Sequence, residues 1–263
     1  FPELGLTGAG VATLIARIIM VVTFIIFIAR ENKIKLYYDG FFKRKIEQKE
    51  IKNLCTIGTP MALQMGMETA AFALASLLMG WLGATELAAY QVMCIVGSLC
   101  FLVYYGIGAA ASIRISHYRG RKEWKNVKIT ADSAFHIIMA VAVILSIGIA
   151  LSQNHLARIF TYDTAVQTMF TSILIPMLAY QISDGIQINY SNALRGIAVT
   201  KPLMAYAFTA YICISLPASY LLGFTLKMGA IGVVLGLPLG LTVAALLYYR
   251  KFQKETNKHI ANM

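Results

Sequence analysis

The sequence predicts an all-α integral membrane fold with seven transmembrane helices, and three observations carry that reading. Hydrophobic residues make up 58% of the chain and charged residues only 13%, where a soluble domain carries roughly 25% charged. Seven apolar stretches are each long enough to cross a bilayer as a helix. The charges between them alternate in sign bias from one side of the membrane to the other. A disordered chain, a nucleic-acid-binding domain and an ordinary cytosolic enzyme are excluded by the first observation alone.

The stretches lie near 8–29, 53–81, 88–113, 130–151, 167–191, 203–224 and 229–249. A hydrocarbon core of about 30 Å needs ~20 apolar residues per helix. Helices are the expected form, because each backbone polar group in lipid must be satisfied within its own segment. The alternating pattern of barrel strands is absent.

A net charge of +11 is ambiguous until it is placed along the chain. All Lys and Arg except Arg17, Arg158 and Lys227 fall in the segments 30–52, 114–128, 195–201 and 250–258. The alternate loops hold Glu3, Glu86 and Asp163, with Arg158 and Lys227. Cytoplasmic loops carry the Lys/Arg excess, so the basic total is an orientation signal, and no nucleic-acid partner is expected. Phe1 is placed outside and Met263 in the cytoplasm. The segment 30–52 reads either as a plain basic connector or as an amphipathic piece on the inner membrane surface, with Ile34, Leu36, Tyr37, Phe41, Phe42 and Ile46 among the cations.

An internal repeat bears on domain organisation. Gly5 and Gly8 in LGLTGAGVA have the spacing of Gly229 and Gly232 in MGAIGVVLG. Each pair opens an apolar helix, where glycine permits close helix contact. If both are the last helix of a repeated lobe, residues 1–29 end a leading lobe and 30–52 are a cytoplasmic basic linker. Residues 53–249 then form a six-helix C-terminal lobe, and 250–263 a cytoplasmic tail. On this reading, together with the start at Phe1, the first five helices of the leading lobe lie outside the chain.

Ionisable residues within spans are functional candidates by default, because charge at mid-membrane is costly. Glu68 falls mid-way along the second span. Asp184 lies within the fifth, ~16 Å of helix rise from Arg195 at its inner end. Asp132 follows Lys128 by four residues and is expected at the inner interface. Arg17 has three readings: snorkelling, pairing with an acid, or facing a cavity. For Glu68 and Asp184, one reading is a pair of neutral, hydrogen-bonded acids. The other is a shared proton or sodium site, where a bound cation relieves the repulsion between two desolvated carboxylates. Gln64 one turn before Glu68, and Tyr180, Gln181, Gln187 and Asn189 around Asp184, would line a polar cavity. Pro60 and Pro176 are expected to interrupt their helices, as broken helices recur at transporter sites. Met61, Met65 and Met67 with Phe72 suit either helix packing or varied organic ligands.

Other chemistries find no constellation. Cys55, Cys94, Cys100 and Cys213 have no paired spacing and are expected as buried free thiols. His117, His136, His155 and His259 lack ligand spacing. Neither a phosphate-binding Gly-rich loop nor the SxxK and GxSxG patterns occur. The last span has no Lys for a retinal. No enzyme activity and no cofactor are expected beyond a coupling ion, H+ or Na+.

Five stretches together resemble a known family. PELGLTGAGVAT at 2–13, GTPMALQMGMETAAFALASLLMGWLGATELAAYQV at 58–92, GIGAAASIRISHYRGR at 106–121, ALRGIAVTKP at 193–202 and the Pro217 region are similar to the C-terminal part of multidrug and toxic compound extrusion (MATE) transporters, in the NorM-like branch. The resemblance implies twelve helices in two six-helix lobes working by alternating access, with this chain at helices six to twelve. It implies cation binding at Glu68 and Asp184, with Tyr180 one turn before the second acid. It further implies export of organic, often cationic compounds in exchange for H+ or Na+, a multi-pass location in the inner (cytoplasmic) membrane, and dependence on the N-terminal lobe. A lipid-linked oligosaccharide flippase of the same superfamily is the alternative, and it would need a cationic cavity.

Overall fold

The computed structural model describes residues 5–30 and 47–261. Their contacts divide between Asn53 and Leu54 into two units, each described by itself. The first contains α1, Gly5–Arg30, apolar enough to cross a membrane over Gly10–Arg30. Arg17 is exposed on it, as are nearly all its described side chains. The predicted amphipathic piece over 34–46 lies outside the described residues.

Among the described residues the remainder is helical as well. The helices are α2 (Gln48–Leu82), α3 (Ala84–Gly120), α4 (Trp124–Phe160), α5 (Thr164–Ser172), α6 (Leu174–Gly196), α7 (Lys201–Thr225) and α8 (Gly229–Ala261). Among the described residues six helices, α1, α2, α3, α4, α7 and α8, are long and apolar enough to cross a membrane singly. A seventh crossing is α5 and α6 taken together, bent by 51° at Ile173. Each expected apolar stretch therefore falls on a span, and the fold is all-α and multi-pass. Outward faces bear Leu99, Leu102, Ile113, Ile144, Leu151 and Ile175, all exposed, the surface that lipid covers.

The helices run past the apolar stretches. The basic segment 114–128 is helical but for a turn at Arg121–Glu123, where Lys122 takes φ 63°. Its Arg, Lys and Glu residues are good helix formers, so the helix continues into the polar zone. Residues 250–261 likewise extend α8. Tyr248, Phe252 and Thr256 succeed one another by one turn, and all are buried. Trp124 and His259 stack at 4.0 Å, tying the start of α4 to the end of α8.

Prolines behave differently from expectation at one site. Pro60 does not interrupt its helix: it is buried inside a continuous α2. A proline removes one main-chain hydrogen bond, and in a span neighbouring helices and local adjustments offset that loss. Pro176 sits in the first turn of α6, where its missing N–H is not needed. A third proline, Pro217, has the larger effect. On either side of it α7 is wound as π-helix, over Phe208–Ser215 and Leu221–Thr225. Such wide turns are rare and cluster at functional sites.

Small residues set the α7–α8 contact. Ser215, Ser219 and Gly223 lie opposite Gly240, Gly236 and Gly232 in antiparallel register. A methyl group at Gly232 would meet the Leu222 carbonyl at 2.5 Å, and one at Gly240 would meet Ala210 O at 2.7 Å. The Ser215 hydroxyl donates to Gly236 O at 3.1 Å and the Ser219 hydroxyl to Val233 O at 2.9 Å. Backbones in lipid approach this closely only where side chains are this small. Gly229, the first glycine of the repeat, serves the turn instead: it has φ 60° and nothing within 4 Å of an added Cβ.

The most enclosed element is α6, buried at most positions from Leu174 to Gly196. Gly196 admits it against α3, since a Cβ there would lie 2.8 Å from Ser112 O. One apolar cluster holds Met79, Met93, Phe170, Met177 and Val233. A second, about Ile115, Leu194, Tyr248 and Phe252, surrounds the other end of α6. Buried polar side chains lie on the same helix, between the two: Gln181, Asp184 and Gln187.

Candidate functional site

The site is built between α2 and α6. On α2, Gln64, Glu68 and Phe72 follow at one-turn intervals, so they share a face. On α6, Tyr180, Asp184, Ser191 and Arg195 do the same, being four, seven and four residues apart. The two faces meet around two cavities that have Met65, Glu68 and Phe101 in common. The larger, about 270 Å³, is lined also by Thr69, Phe72, Met93, Cys94 and Tyr180. The smaller, about 20 Å³, adds Gln64, Tyr105, Gln187, Ser191, Asn192 and Arg195; it has room for about one water. Glu68, half-buried, stands at the junction.

Tyr180 is held edge-on to Phe72, ring centroids 5.8 Å apart. Gly97 of α3 backs it: an added Cβ there would lie 3.5 Å from the Tyr180 ring. The phenol lies beside the Asp184 carboxyl. Asp184 is 1% exposed and lines neither cavity, yet it interacts electrostatically with Glu68. Gln181 is fully buried at Cys100 and Gly97. The sequence-predicted residues are thus largely brought together, with one exception. Asn189 turns to the opposite side of α6 and donates to Ala131 O of α4 at 3.2 Å. Five residues past Asp184, it is rotated about 140° from that acid's face.

Residues that the sequence reading left out complete the surroundings. Arg195, counted there as one more cytoplasmic cation, points inward: its guanidinium donates to Gln64 Oε1 at 2.7 Å. It acts electrostatically on Glu68. Tyr211, on the π-wound part of α7, lies beside Glu68, and Tyr248 of α8 lies by Gln187. Arg195 had one legible signal, its place three turns along from Asp184 on the same face. The tyrosines had none.

Polar atoms here are left without partners. Both Gln181 amide atoms, Asp184 Oδ2, Gln187 Oε1, Arg195 Nε and the hydroxyls of Tyr104 and Tyr211 are buried with no hydrogen bond. Unsatisfied buried polar groups are expensive, so their clustering beside two acids marks a place prepared for an ion, water or ligand. Two methionines predicted for either role divide: Met65 lines both cavities, while Met67 packs on the apolar core. Of the thiols, all free, Cys100 is buried and Cys94 lines the larger cavity; Cys55 and Cys213 are exposed on outer faces, contrary to the expectation of burial. A separate apolar cavity of about 480 Å³, lined by Phe135, Ile186, Tyr190 and Leu246, contains none of the predicted site residues.

The MatE family model matches residues 60–221. The multidrug resistance protein NorM of Vibrio cholerae serotype O1 is 32% identical over 253 residues, 94% of this chain and 55% of the relative. A probable multidrug resistance protein NorM of Bradyrhizobium diazoefficiens is 30% identical over 256 residues, 96% of this chain and 55% of the relative. The chain therefore spans about half the length of the curated relatives it matches. Among solved structures, the eukaryotic MATE transporter AtDTX14 superimposes with a TM-score of 0.83 at 21% identity, over 98% of this chain and 59% of its own. An outward-facing multidrug resistance MATE transporter of the MOP superfamily gives 0.76 at 15% identity, over 82% and 49%. These structural likenesses concern the fold.

Proposed function

The chain belongs to the MatE family, and on that premise we propose that it forms the C-terminal lobe of a secondary active antiporter that exports organic, often cationic compounds. The carrying observation is a half-buried Glu68 at the junction of an aromatic, sulfur-rich cavity and a polar one, in electrostatic contact with buried Asp184. Two acids that cannot both stay charged in a low-dielectric setting take up a proton or a cation. Glu68 and Asp184 bind the coupling ion in this reading, and Tyr180 orients Asp184. Gln187 supplies a neutral oxygen from the smaller cavity, Gln181 does so beside Asp184, and Gln64, whose Oε1 is taken by Arg195, shapes the cavity. A sodium ion would be held by such oxygens as a hard cation; a proton would sit on either acid. Asn189, turned to α4, has a packing role.

The larger cavity offers Phe72, Phe101 and Tyr180 rings with one acid. That combination suits a flat organic cation, by ring-face attraction and charge. It does not suit the pyrophosphate headgroup of a lipid-linked oligosaccharide, because its one formally charged lining residue is Glu68. The charge bias supports the basic loops and the end of α8 lying on the cytoplasmic side of the inner membrane. The N-terminal lobe would wall the rest of the cavity. Ion binding drives alternation only through a difference in ion affinity between the two access states.

The test is Glu68→Gln and Asp184→Asn in the complete natural protein. Efflux of a fluorescent organic cation from proteoliposomes, under separately imposed proton and sodium gradients, should fall to the level of protein-free vesicles. Undiminished gradient-driven efflux in both variants would overturn the assignment.

A further inference from the structure

Arg195 sits at the inner end of α6, where a guanidinium could have snorkelled to water. Instead it reaches into the smaller cavity and bonds Gln64 Oε1 at 2.7 Å. Arg195 thus has a neutral partner where a carboxylate lines the same cavity. Its Nε is buried and unbonded. A guanidinium is permanently charged, with five donors in a fork that fits a carboxylate in two places. Leaving it on an amide is an unfinished arrangement.

The finishing partner lines the same cavity. Glu68 follows Gln64 by one helical turn on α2, and side chains at that spacing are neighbours, about 5–6 Å apart at Cβ. Gln64, Glu68 and Arg195 line one cavity, and the Arg195 stem is long and flexible. Around Glu68 the other ionisable groups are Cys94 and Tyr105 on α3, Asp184 and Tyr180 on α6, Tyr211 on α7 and Tyr248 on α8. Each is a carboxylic acid, a phenol or a thiol, so Arg195 is the cation on hand.

We propose that Arg195 is a positioning residue that changes partner, held by Gln64 Oε1 while a coupling cation occupies Glu68 and moving onto the Glu68 carboxylate when that cation leaves. No bond is made or broken in this step. It rests on the reading of Glu68 as an ion site and adds an internal competitor to it. Release of the ion would otherwise strand a carboxylate in a dry setting, at a high cost. The exchange keeps one positive charge beside Glu68 in both states and weakens ion binding to a reversible level.

The measurement is the half-saturating coupling-ion concentration for efflux of ethidium by the complete natural protein in proteoliposomes. Sodium is varied at fixed pH in one arm, and protons at fixed sodium in the other. Removing the competitor with Arg195→Gln should lower that concentration about tenfold, the effect of taking one opposite charge from beside a carboxylate. Gln64→Leu frees Arg195 for Glu68 and should raise it. Arg195→Lys, which keeps the charge, should fall between wild type and Arg195→Gln. A merely structural role would not shift the two sites in opposite directions. No change in either variant, or shifts of the same sign, would overturn the proposal. If Arg195→Gln does not fold, Gln64→Leu decides alone, and an unchanged or lowered value overturns it. Glu68→Gln separates the two ideas. Persistent ion-driven efflux in that variant removes the site reading and this role with it. Loss of efflux there, with unmoved Arg195 and Gln64 variants, removes only this role.

Discussion

Two helix contacts in the same lobe treat buried polar residues in opposite ways. Between α7 and α8, Ser215 and Ser219 donate to main-chain carbonyls, and glycines bring the backbones together. Between α2 and α6, Gln181, Asp184, Gln187 and Arg195 hold polar atoms with no partner, beside cavities. Residues of similar polarity thus serve cohesion in one place and are held in reserve in the other. A polar group in a membrane protein is read by whether its hydrogen bonds are spent, rather than by its presence.

The largest effect that would sharpen this contrast is expected from Gly236→Leu. A side chain there collides with the Ser219 main chain, and overpacking without room to relax costs ~3 kcal/mol. The variant should melt well below the parent in detergent or fail to accumulate; a normal melting temperature would mean that the α7–α8 register is wrong. Gln181→Leu tests the other side. It removes two orphaned buried atoms at nearly constant volume, so stability should rise, by about 1–2 kcal/mol, while ion-driven efflux falls. A drop in melting temperature would show that Gln181 is satisfied and structural. Ser219→Ala gives up one spent hydrogen bond, worth about 1 kcal/mol, and should leave the ion dependence of efflux as it was. Smallest is Asn189→Ala, expected to cost about 1 kcal/mol or less, again with no change in ion dependence. If that change instead altered the half-saturating ion concentration, Asn189 would return to the site from its place against α4.

The spans were legible because lipid imposes one rule on every residue of a crossing segment, so composition alone marks it. Glu68 and Asp184 were legible as exceptions to the same rule. The limits of that logic show at Arg195, which a charge count assigns to the cytoplasmic side. Its pairing with Gln64 joins residues 131 apart in sequence, and no periodicity reports on such a contact. Pro60 misled for a related reason: a proline's effect depends on whether neighbouring elements make good its lost hydrogen bond.

By itself, then, the sequence determined an all-α multi-pass protein, its apolar stretches, the bias of its basic loops and two acids in the wrong solvent. Those are properties of single residues against a uniform background. The tertiary structure decided which buried polar groups are spent and which are free. It set the α7–α8 register, wound α7 into π turns around Pro217, turned Asn189 to α4 and brought Arg195 to Gln64. Each of these depends on the rotation and separation of two helices far apart along the chain, which packing alone sets.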